Sequence, residues 1–111
     1  MSDSSLPARV VITTAANLEE ATRVSRTLVE ERLVACATVI PSVNSIYRWE
    51  GQVTSAPEIL ILLKTGAEQI PALEARIRDL HSYLTPEFLV LPVESGSIGY
   101  LEWLHKSLNE S

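Results

Sequence analysis

One cysteine, two histidines and four glycines in 111 residues leave little material for several common chemistries. Cys36 is the single thiol, so no internal disulfide can form. Set in the apolar run VACATVI, it reads as a small buried hydrophobe in a chain suited to a reducing compartment, and a cytoplasmic location is expected. No run of about 18 apolar residues occurs, and the leader MSDSSLPARV carries Asp3 and no hydrophobic stretch, so neither a membrane span nor a secretory signal is expected. Lys and Arg together number 9 against 14 Asp and Glu, a formal charge of -5, and they nowhere cluster. Phosphate binding needs local positive charge first, which sets nucleic acid aside as a partner. There is no Gly-rich phosphate loop, no pair of catalytic carboxylates and no nucleophile with a recognisable activating base, so no enzyme activity is expected.

What the chain does have is apolar residues, 46% of the total, enough for a single core and therefore one domain. Residues 1–7 are expected to be a loosely ordered leader, and 8–111 the domain. ARVVITTA is β-branched and free of charge after Arg9, as in a central strand. Asn17 can cap a helix, Glu19 and Glu20 suit the positive end of its dipole, and Leu18, Ala21, Val24 and Leu28 recur at helical spacing, predicting a helix from about Asn17 to Leu33. Two β-rich segments, VACATVIPSVNSIYRWE and QVTSAPEILILLKT, meet at Glu50-Gly51, where glycine supplies the positive φ of a tight turn. Ile70, Leu73, Ile77, Leu80 and Leu84 share one helical face, with Pro71 acceptable in the first turn. EFLVLPV reads as a short fourth strand. Ile98, Leu101, Leu104 and Leu108 mark a C-terminal helix. The fold class is α+β: a ferredoxin-like β-α-β-β-α-β sandwich with a long central hairpin and an additional helix at its end.

The hairpin is too long for a compact monomer. Val34 to Arg48 is about 15 residues, roughly 50 Å at ~3.3 Å each, against a diameter of about 35 Å for a domain of this size. It must either project or be folded back at Pro41 and Pro57. A projecting ribbon would leave Ile46, Tyr47 and Trp49 in solvent unless a partner subunit covered them.

Four stretches, ACATVIP (Ala35 to Pro41), SIYRWEGQV (Ser45 to Val53), LILLKT (Leu60 to Thr65) and HSYLTPEFLVLPV (His81 to Val93), resemble in wording, order and spacing the CutA family of divalent-cation tolerance proteins. The similarity runs from about Val10 to Leu108. It implies a ferredoxin-like subunit in a tight homotrimer, similar in architecture to the PII signalling proteins, and a link with tolerance to copper and other divalent metals. Cys36, Tyr47, Trp49, Glu50, Lys64, His81, Tyr83 and Glu87 stand at the family's recurring motif positions, several of which line a cleft between subunits in relatives. Two departures stand out. Many members read His-Pro-Tyr-Glu where this chain has His81-Ser82-Tyr83-Leu84, and some bacterial members carry a copper-binding cysteine at the position of Thr13.

Residue chemistry leaves several alternatives open. His81 and Glu87, on either side of Pro86, offer one nitrogen and one oxygen ligand, a weak site for copper(II) or zinc(II) that would need further ligands from water or another subunit. Alternatively, His81 only punctuates the end of a helix, where an imidazole can bond free carbonyls. Lys64, after five apolar residues, either snorkels at a sheet edge or awaits an anionic ligand. Trp49 and Trp103 fit interface or core packing, and Glu30, Glu31 and Arg32 a solvated helix end. The expected function is that of a homotrimeric divalent-metal-binding protein without turnover. The alternative is a PII-like regulatory module that binds a small anion or a protein partner in the cleft between subunits.

Overall fold

The computed structural model describes residues 7–109. Most of the expected leader, residues 1–6, lies outside the described residues, and the carbonyl of Pro7 already accepts a hydrogen bond from the Ala67 amide. Seven elements follow in order: β1 (Ala8–Ala15), α1 (Leu18–Glu30), β2 (Cys36–Trp49), β3 (Gln52–Gly66), α2 (Ile70–Leu80), β4 (Leu89–Pro92) and α3 (Ile98–Asn109). The strands form one antiparallel sheet of order β2-β3-β1-β4, which puts β1 at its centre as its composition predicted. This is the ferredoxin-like α+β arrangement, with α3 added.

Side chains alternate across a strand, so the register sorts the sheet into two faces. Val11, Ala15, Ile59, Ile61 and Leu63 point to one side and close on Ala21, Val24 and Leu28 of α1 and Leu73 and Ile77 of α2, making the main core. The other side carries the cross-strand rows Cys36-Lys64-Val10-Leu91 and Thr38-Leu62-Ile12-Leu89. Only one end of this second face is covered: Leu101, Leu104 and Leu108 of α3 pack on Ala8 and Ala35. Further along it lies open, and Ile40, Leu89 and Leu91 are exposed there.

Both main helices end earlier than their apolar spacing predicts. Helix α1 stops at Glu30 instead of Leu33 because Arg32 takes a left-handed conformation, φ 62°, and turns the chain back so that the Leu33 amide bonds the Leu28 carbonyl. The charged end is exposed as expected, but Glu31 is held by a bidentate pair from Arg76, at 2.8 Å for both bonds. Helix α2 stops at Leu80; His81 is its C-cap, in extended conformation, and Leu84 is fully solvent-exposed and no part of the apolar stripe.

The hairpin projects. Glu50 and Gly51 form its two-residue turn with φ of 50° and 82°, the signature of a type I′ connection. Pro41 and Pro57 do not fold it back: β2 and β3 remain paired from Cys36↔Lys64 to Trp49↔Gln52, with one bulge between Ile40 and Val43. The molecule is accordingly 51 Å long and only 26 and 23 Å across. Near its tip Ile46, Tyr47, Trp49 and Val53 are exposed, Trp49 by 64%.

Candidate functional site

The loop after α2 is built around a buried carboxylate. Asn17 caps α1 by accepting from the Glu20 amide at 2.8 Å, and this fixes Glu20 one turn into the helix. Glu20 is only 6% exposed. Its Oε2 accepts from the Ser82 amide at 2.7 Å and its Oε1 from the Ser82 hydroxyl at 3.0 Å, with a longer bond of 3.4 Å from the Ala16 amide. Burial opposes the carboxylate charge, but the Ser82 and Ala16 donors and the nearby His81 ring outweigh it and hold Glu20 below the ordinary carboxylate value. Sequence reading took Glu20 for a solvated partner of the helix dipole. The signal that marks it is the spacing Asn17-x-x-Glu20, an N-cap followed by an acid at the third helical position, as in a capping box.

His81 is buried in the same knot. One ring nitrogen, Nε2, donates to the Thr14 carbonyl at 2.6 Å, and the other, Nδ1, accepts from the Tyr83 amide at 3.0 Å. That pattern requires the neutral tautomer with its hydrogen on Nε2. The carboxylate brought to the ring is Glu20, 3.7 Å from Nδ1, while Glu87 is exposed and makes no bond to it. Tyr83 stacks obliquely on His81 with ring centroids 4.6 Å apart and donates its hydroxyl to Glu58 Oε2 at 3.0 Å. The other oxygen of Glu58 accepts from Ser45 at 2.7 Å. Burial and the Glu58 carboxylate push the Tyr83 phenol up to about 12. Thus His81, Tyr83 and the hairpin base at Ser45 and Glu58 form one connected region, with Tyr47 close enough to Tyr83 to influence its ionisation.

Cys36 and Lys64 form a second region on the open sheet face, toward α3. They are direct cross-strand partners, and the Lys64 ammonium donates to Thr38 Oγ1 at 2.5 Å and lies 4.0 Å from Cys36 Sγ. Cys36 is half-buried beside this ammonium, not sealed in the core as its apolar neighbours imply. The core face takes the odd-numbered Ala37 and Val39 of β2 instead. Trp49 and Glu50 sit apart from both regions at the hairpin tip, and Trp103 is partly exposed on α3, stacked on Tyr100 at 5.4 Å.

These donors do not assemble a chelating set within one chain. Both His81 nitrogens are committed, Cys36 faces a cation, Thr13 is buried with an unpaired hydroxyl, and among the described residues no three His, Cys, Asp or Glu side chains converge. Firm sites for zinc(II) or copper(II) need three or four ligands. Also among the described residues, no helix is long and apolar enough to cross a membrane.

Residues 9–107 match the model of the family described as CutA1 divalent ion tolerance protein. The Divalent-cation tolerance protein CutA of Thermus thermophilus is 42% identical over 98 residues, covering 88% of this chain and 95% of its own. Protein CutA 1, chloroplastic, of rice is 36% identical over 108 residues, of which this chain spans 61% of the longer relative. The crystal structure of CutA1 from Oryza sativa superposes with a TM-score of 0.92 at 36% identity, covering 98% of this chain and all of that one.

Proposed function

The chain belongs to the CutA1 divalent ion tolerance family, and from that premise we propose that it serves divalent-cation tolerance as a homotrimeric binding protein with no catalytic turnover of its own. The observation that carries the assembly is the apolar surface left over after folding: an open sheet face bearing Ile40, Leu89 and Leu91, and a projecting hairpin bearing Tyr47 and Trp49. Taken together, the exposed parts of Tyr47 and Trp49 are worth about 5 kcal/mol per subunit at ~25 cal/mol per Å², before the cost of ordering. A ribbon of this kind also has unpaired edge groups that a neighbouring subunit satisfies.

Divalent ions enter this reading as ligands of the assembly. Since one chain offers at most single, already bonded donors, a chelating set for copper(II) or zinc(II) draws on more than one subunit. Light scattering at low micromolar concentration should give about three times the 12.2 kDa chain mass. A monomeric mass would end the proposal, and Trp49→Ala should shift the assembly toward smaller species. Calorimetric titration with copper(II) should give equal affinity for wild type and His81→Ala, because His81 is spent on Thr14 and Tyr83. A weaker variant would show that the ring leaves those bonds to hold metal.

A further inference from the structure

Lys64 poses a problem of charge. It stands on an otherwise apolar sheet face, between Val10 and Cys36 across the strands and next to the row of Thr38, Leu62 and Ile12. Among the described residues no carboxylate lies within ion-pair distance of it. Its neighbours are a hydroxyl at 2.5 Å, a thiol at 4.0 Å and, beside that thiol, the Tyr100 phenol, whose ionisation is opposed first by burial and then by Cys36. All three can donate hydrogen. Thr38 Oγ1 accepts from the ammonium, so its own proton is free to point outward, and two of the three ammonium hydrogens remain available.

From the donor-only set formed by Lys64, Thr38 and Cys36 on the open sheet face, we propose a binding site for a small organic monocarboxylate. One oxygen takes the ammonium and the other the Thr38 hydroxyl, while the apolar body of the ligand lies against Val10, Leu62 and the margin of α3 near Tyr100. The single positive charge selects a monoanion. A phosphate dianion would leave one charge uncompensated in a chain that already carries -5. The apolar surroundings favour a ligand with a hydrocarbon body over a bare ion. All of these residues belong to one chain, so the site does not depend on the subunit count proposed above.

The test is a titration of the full-length protein with benzoate, butyrate and inorganic phosphate, followed by calorimetry and by NMR shifts of the Thr38 and Lys64 amides. Saturable binding of benzoate is expected, tighter than that of butyrate and at least tenfold tighter than that of phosphate. Lys64→Met should lower benzoate affinity at least tenfold, Thr38→Val severalfold, and Lys64→Arg should restore most of it. Lys64→Met and Lys64→Arg are compared at equal folded content by circular dichroism; if Lys64→Met does not fold, Thr38→Val carries the comparison. Absence of saturable benzoate binding overturns the proposal, as does equal binding by folded Lys64→Met. Preference for phosphate overturns the ligand class.

Discussion

Replacing Glu20 by Gln tests whether the buried carboxylate, and not the loop's own sequence, holds residues 81–83 in place. Gln keeps the size and one acceptor oxygen, but puts an NH2 group where Glu20 now receives either the Ser82 amide at 2.7 Å or the Ser82 hydroxyl at 3.0 Å. At least one charge-assisted bond, worth about 1.5–3 kcal/mol, is lost and a donor is left facing a donor. The expected destabilisation at pH 7 is therefore about 2–3 kcal/mol. The pH dependence has a definite sign. Glu20 is held below its ordinary value of 4.5, so the carboxylate contributes its full stabilisation above that value and loses it as pH falls through the lower, folded-state value. Urea unfolding, at one protein concentration because assembly couples to stability, should show a constant gap between wild type and variant from pH 7 down to about 5.5 and a shrinking gap below pH 4.5. A gap under about 0.5 kcal/mol at pH 7, or one that persists unchanged to pH 3, would refute the reasoning.

Tyr83→Phe removes the hydroxyl bonded to Glu58, and should cost about 1 kcal/mol and delete the tyrosine ionisation step near 12 from an alkaline absorbance titration. At the hairpin tip, both turn residues have positive φ, so Glu50→Asn should raise thermal stability slightly, while Gly51→Ala should lower it by roughly 1 kcal/mol even though no atom lies within 4 Å of the added methyl. A stable Gly51→Ala with an unchanged melting temperature would mean that the turn does not limit the hairpin.

The elements were legible in the sequence wherever one local rule decided them. β1 matches its predicted segment residue for residue, because an unbroken β-branched run has no competing reading, and Glu50-Gly51 turns where predicted. Leu84 misled because it continues the stripe of Ile70, Leu73, Ile77 and Leu80, and only a distant contact, Glu20 capturing the Ser82 amide, ends the helix before it. The same tertiary contact hid the site. His81 appears in sequence as a ligand or a helix stop, and the choice rests on Thr14 and Glu20, 67 and about 60 residues away, which no local pattern reveals. Lys64 was marked correctly as a cation in need of an explanation, but its pairing with Thr38 and Cys36 follows from strand register alone.

Register also decides which face the hairpin tip presents, and it turns on one residue. Between the pairs Ile40↔Leu60 and Val43↔Glu58, β2 advances by three residues while β3 advances by two, so Pro41 and Ser42 together oppose a single residue, with Ser42 at φ 65°. Before this bulge the open face takes even-numbered residues of β2, Cys36, Thr38 and Ile40; after it, alternation gives the same face odd-numbered residues, Val43, Ser45, Tyr47 and Trp49. The bulge is thus what sets Ser45 opposite Glu58 and brings Tyr47 near Tyr83. Deleting Ser42 should restore a regular ladder and turn Ser45, Tyr47 and Trp49 to the other face, since a one-residue slip inverts every side chain beyond it. Ser42→Gly, by contrast, keeps the bulge and relieves the left-handed conformation, so it should be as stable as wild type or more so. Light scattering of the two variants separates the outcomes: Ser42→Gly should assemble as wild type does, and the deletion should yield smaller species while remaining folded by circular dichroism. A deletion variant that assembles normally would show that the orientation of the tip, and with it Trp49, has no part in subunit contact.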